Sequence, residues 1–184
     1  MSFKTHINYL TKRLSRIAAL IYRVKSLVPE FVLKTLYQAH FAPLINYCNI
    51  IWSNTFNTHL DPLIKVQKRV IRMISNSDFL AHTYPLFKNL QILDLNNITK
   101  YSLGVYFFKN RDSLIPLLQN HHIYLTRNRD RPIPIPHNTT IFEKSFVYQA
   151  PKFWNELLDS NLNVNNITSI DCFKRHIKQF LLSL

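Results

Sequence analysis

The chain has 184 residues, 23 lysines and arginines against 10 acids, a net charge of +13, and a single glycine, Gly104. Phosphate loops of the GxGxxG or GxxxxGK[ST] type need several glycines, because backbone N–H groups must approach phosphate and φ must turn positive. A Rossmann fingerprint, a Walker A loop and a kinase Gly-rich loop are therefore excluded, and the balance moves from tightly turned sheets towards helices.

Residues around 5–28 read as a first helix. Leu10, Leu14, Ile17, Ile21, Val24 and Val28 recur every three or four positions, with Lys12, Arg16 and Arg23 opposite them and Arg13 flanking. No acid precedes Glu30, so this helix has no internal ion-pair partner. A second helix is expected over about 30–42, opened by Pro29 and kinked or restarted by Pro43. Residues 43–52 (PLINYCNIIW) are apolar nearly all round, which predicts one buried helix. Residues 54–58 read as a loop. The third helix, about 60–75, carries Lys65, Lys68, Arg69 and Arg72 at i, i+3, i+4 and i+7, hence on one ridge. Leu63, Val66, Val70, Met73 and Ile74 form the opposite arc, with Ile64 and Ile71 beside it.

Residues 76–84 read as a loop and Leu86–Leu90 as one short turn. Asp94 is placed to cap a helix over about 95–111, inside which Gly104 implies a close helix–helix contact. Pro116 is expected to start a short element, and Ile123–Leu125 a short strand. Arg127, Arg129 and Arg131 then alternate ahead of three alternating prolines, which enforce an extended backbone. Extended, the three arginines share one face, and Tyr124 beside them is the aromatic placed to stack on a base. Phe142, Phe146, Phe153 and Trp154 anchor a further packed unit, with Pro151 opening a short helix. A last helix begins at Ser169 or Asp171 and turns Ile170, Phe173, Ile177, Phe180 and Leu184 inward.

Charged residues make up only 18% of the chain, so its basic excess reflects few acids rather than many bases, and it points to an anionic partner. Cys48 and Cys172 belong to no CxxC pair, and the adjacent His121 and His122 diverge on any regular element. No zinc set results, and both cysteines are read as reduced thiols of an intracellular protein, nuclear or cytoplasmic. Neither a signal peptide nor a run of about 18 apolar residues is present. The ten acids are scattered, the closest pair being Glu156 and Asp159, so no carboxylate cluster for two-metal chemistry is expected. A GxSxG elbow is impossible with one glycine. No catalytic residue and no metal ligand is assigned.

Several segments, in order, resemble the region that follows the catalytic palm in reverse transcriptases of non-LTR (LINE-type) retrotransposons, especially the jockey and CR1-like groups. Phe3, His6, Ile7 and Lys12 match a family segment in which Trp is commoner than Phe at the first position. Tyr47, Cys48 and Trp52 match its YCxxxW, and Val66–Ile74 its LQKRAIRxI helix. His82, Thr83, Pro85, Leu86, Phe87, Leu90, Ile92 and Leu93 match HTxPLFxxLxIL. Thr126 and Arg127, then Ala150–Leu157, resemble its TR-rich and GPKxWNxLP segments, with Ala150 in place of Gly and Leu158 in place of Pro. Phe173, Lys174, Lys178, Leu181 and Leu182 resemble its closing FKxxLKxxLL.

The resemblance implies a mainly all-α chain. A thumb-like helical bundle would occupy 1–83, a helical connector 84–120, and a smaller unit with the extended Arg/Pro segment 121–184. It further implies that fingers, palm and their Mg²⁺-binding aspartates lie upstream, so that this chain needs no cofactor and is no enzyme by itself. Its partners would be an RNA/DNA hybrid and the palm and fingers of the same polymerase. The expected contacts are Lys12, Arg13, Arg16, Arg23, Lys65, Lys68, Arg69, Arg72, Arg127, Arg129 and Arg131. The alternative is a decayed transposon fragment that serves only as a basic protein- or membrane-surface module, using the amphipathic first helix.

Overall fold

The structure, a computed structural model, describes residues 3–118, 131–133, 138–160, 164 and 167–183. The fold is mainly all-α, and no strand occurs among the described residues. Ile123–Leu125, Tyr124, Arg127 and Arg129 lie outside them. The chain divides into two units, Met1–Ile98 with Leu182–Leu184, and Thr99–Leu181. The segment expected to be one connector, 84–120, is thus shared between them.

The first unit contains α1 (Lys4–Val24), α2 (Glu30–Leu36), a π-helical turn (Tyr37–Phe41), α3 (Ala42–Asn46), α4 (Asn49–Trp52), α5 (Asn57–Ile74), α6 (Thr83–Leu90) and the first turn of α7 (Leu95–Lys109). Helix α1 packs along α5. It buries Ile7, Leu10, Leu14, Ala18 and Ile21 against a core that includes Leu33, Tyr37, Phe41, Leu63, Val70 and Ile71. Burying each such aliphatic side chain contributes about 1.5–3 kcal/mol. Helix α1 ends at Val24, so Val28 lies beyond it rather than on its apolar face.

Pro43 is absorbed by a change of register. The Ala42 N–H bonds back five residues to the Tyr37 carbonyl, and the proline then falls in the first turn of α3, where its missing N–H costs nothing. The continuous buried helix expected over 43–52 does not form. Tyr47 is extended and Cys48 is left-handed at φ 48°, which separates α3 from α4. Only Ile45, Asn49 and Trp52 of that stretch are fully buried among its helical residues, while Tyr47 and Ile51 are exposed. The apolar run misleads because the chain turns at Tyr47 and Cys48, which carries Tyr47 out to solvent.

Asn57 and Thr58, expected in a loop, already belong to α5. Residues 83–90 form a full eight-residue helix rather than one turn from Leu86. Helices α5 and α6 both end in left-handed residues that are not glycine, Asn76 at φ 47° and Gln91 at φ 57°. At each end the next residue's N–H reaches back to the helix, Ser77 to the Arg72 carbonyl and Ile92 to the Phe87 carbonyl. A chain with one glycine thus places Cys, Asn and Gln where glycine is the cheapest residue.

A polar hub lies inside this apolar unit. Gln67, 1% exposed, donates from Nε2 to the Tyr37 hydroxyl (3.0 Å) and the Leu93 carbonyl (3.1 Å). Its Oε1 accepts from the Leu95 N–H at 2.9 Å. Burial, more than the nearby Asp94 carboxylate, pushes the Tyr37 phenol up from 10.0 to about 12, against the pull of the Gln67 hydrogen bond. Between those two pH values the unfolded chain holds fewer protons than the folded one, so stability falls as pH rises. The first unit is expected to lose up to about 3 kcal/mol over this alkaline window. Tyr37→Phe should flatten that loss, which urea unfolding across the range will read.

The second unit contains the rest of α7, α8 (Arg111–Leu118), α9 (Thr140–Glu143), α10 (Phe146–Asp159) and most of α11 (Ile170–Ser183). The Asp94 side chain accepts from the Asn97 N–H at 2.8 Å and so caps α7, as its position predicts. An aromatic core follows: Phe108 stacks on Phe173 with ring centroids 4.3 Å apart, and Phe107 meets Trp154 at 4.8 Å. The buried line of α11 is Phe173, Ile177 and Leu181, with Ile170 and Phe180 only half-buried and Leu184 outside the described residues.

Pro116 and Pro151 do not open helices. Like Pro62 in α5, each is the sixth residue of its helix. Each leaves one carbonyl without a helical partner, that of Thr58, Asp112 or Val147, and all three of these residues are exposed to water. Gly104 sits where α7 meets α10 and α11. A Cβ there would lie 2.5 Å from Ile177 Cδ1 and 3.1 Å from Phe153 Cε1. Gly104→Val is expected to cost about 1–3 kcal/mol by overpacking. In an Ile177→Ala background the added side chain fills vacated space, so thermal unfolding of the double variant should show less than the summed loss.

Candidate nucleic-acid interface

The α1 strip is the clearest of the three expected basic sets. Lys12, Arg13, Arg16 and Arg23 are all exposed, on the side of α1 away from its buried face. None of them is in an ion pair among the described residues. At about 100° per residue they fall within one arc of about 100°. Tyr9 (57% exposed) and Leu20 (59% exposed) fall inside the same arc. Composition and charge counts pass over these two, although Tyr9 stands three and four residues before Lys12 and Arg13.

The α5 ridge is built the same way. Lys65, Lys68 and Arg69 are exposed, opposite the buried Leu60, Leu63, Gln67, Val70, Ile71 and Ile74. Arg72 is different, being half-buried, with its Nε donating to the Ala81 carbonyl at 2.9 Å. It ties the 75–82 loop to the helix. One turn before Lys65 the ridge also carries an acid, Asp61. Its carboxylate trims the positive field at that end of the ridge alone.

The arginine comb does not stand free where it is described. Arg131 Nη1 meets Asp159 Oδ1 at 2.7 Å. The neighbouring Pro132 carbonyl accepts from Asn155 Nδ2 at 2.9 Å, and the Ile133 N–H donates to the Leu118 carbonyl. Arg131 is therefore engaged along α10. No known protein family, curated protein or solved structure matches this chain.

The two nearest carboxylates are separately occupied, Asp159 by Arg131 and Glu156 by Lys100 at 3.5 Å. Among the described residues no group of three or more His, Cys, Asp or Glu could hold a metal ion. Among the described residues no helix is long and apolar enough to cross a membrane. What α1 and α5 offer chemically is two rows of hydrogen-bond-donating cations on rigid helices, suited to phosphate oxygens.

Proposed function

We propose that this chain is the non-catalytic C-terminal part of a non-LTR retrotransposon reverse transcriptase, and that it grips template–primer nucleic acid through α1 and α5. The observation that carries the reading is the pair of exposed basic strips, four cations on α1 and three on α5, each opposite a buried apolar face. The order of family-like segments along the sequence supports the polymerase context. Lysine and arginine on phosphates position a duplex without reading its bases. Phosphoryl transfer belongs to the palm of such a polymerase, so the purified chain is expected to give no primer extension.

A second reading, as a protein- or membrane-surface module, rests on Tyr22, Leu27 and Phe31, which are 61%, 78% and 70% exposed. Titration with an RNA/DNA hybrid, alongside co-sedimentation with anionic vesicles, separates the two. Stronger binding to vesicles than to the hybrid would favour the second.

A further inference from the structure

The two basic strips differ in one respect that bears on what each can hold. The α5 ridge is purely charged, with Lys65, Lys68 and Arg69 outward and no exposed aromatic or large aliphatic residue between them. The α1 strip interleaves its cations with Tyr9 at one end and Leu20 towards the other, both more than half exposed. A duplex hides its base faces, so an exposed ring among phosphate-binding cations gains nothing from it. An unpaired strand presents both backbone charge and π faces, and aromatic stacking captures the latter.

We propose that α1 binds the unpaired strand of a nucleic acid, with the Tyr9 ring stacking on a base while Lys12, Arg13, Arg16 and Arg23 follow the phosphates. This rests on the phosphate-binding reading above and adds a division of labour, the paired region falling to α5. The polarity fits, because residues 1–29 contain no acid. From Tyr9 to Arg23 is about 21 Å of helix, long enough to follow several phosphates of a strand. Leu20 supplies an apolar contact for a second base or sugar. Nothing in the arrangement selects RNA over DNA, since stacking and phosphate contact are common to both.

The test uses the whole chain with fluorescein-labelled single-stranded RNA, single-stranded DNA and an RNA/DNA duplex. Tyr9→Ala should weaken both single strands about tenfold or more and leave the duplex within twofold. Tyr9→Phe, which keeps the ring, should bind like the parent. A 2-aminopurine placed in the single strand should be quenched by the parent and by Tyr9→Phe, not by Tyr9→Ala. Equal loss on single strand and duplex, or no loss on either, overturns the stacking role. Salt-dependent duplex binding in that case leaves the phosphate grip standing, whereas a parent chain that binds neither substrate overturns both.

Discussion

Replacing Lys65, Lys68 and Arg69 together by glutamine is expected to lower affinity for an RNA/DNA hybrid about 500-fold at 0.1 M salt. Each phosphate contact contributes roughly 0.9 to the slope of log K against log salt. Three contacts therefore strengthen binding about 500-fold between 1 M and 0.1 M salt, and their removal forfeits that gain. The loss should be the same for every hybrid sequence, because backbone contacts carry no base information. All three side chains are exposed and lie opposite the buried face, so stability should stay within about 0.5 kcal/mol of the parent. Arg72→Gln should behave differently. It loses the bond to the Ala81 carbonyl and loosens the 75–82 loop, while its effect on affinity is smaller.

The largest stability effect is expected at Gln67. Gln67→Leu keeps the volume but removes the acceptor for the Leu95 N–H and the donor to both the Leu93 carbonyl and the Tyr37 hydroxyl. Each buried group left without a partner costs about 1–3 kcal/mol, so a total near 3–5 kcal/mol is expected. Urea unfolding followed by circular dichroism will read it as a large fall in midpoint. Little change would mean that water replaces the amide. The effect should be confined to the first unit, where the hub ties α5 to the π-helical turn and to the start of α7.

Much of this was legible in the residues, and the misses have physical causes. The stripes of α1 and α5 follow from apolar spacing, and the Asp94 cap and the close packing at Gly104 follow from local chemistry. Pro116 and Pro151 sit inside helices rather than opening them, and the residue whose carbonyl each one orphans is exposed. Composition predicts one helix over 43–52 because it does not reveal that Cys48 adopts a left-handed conformation. Gln67 lies in a run of charged and polar residues, and only its three-dimensional partners mark it as buried.

At the candidate interface, spacing placed the outward cations of α1 and α5 on common faces. It could not foresee that Arg72 would be drawn to the Ala81 carbonyl or Arg131 to Asp159, since those partners are distant in sequence or depend on the fold. Tyr9 and Leu20 were overlooked for the opposite reason. Their apolar character draws attention inward, yet their angular position is that of the cations.

The most direct measurement is the affinity of the purified chain for an RNA/DNA hybrid that carries a single-stranded overhang, over a series of salt concentrations. With seven exposed cations on the two strips, log K should fall with log salt at a slope between about −4 and −6. A flat dependence, or no binding at low salt, would contradict a phosphate grip by α1 and α5.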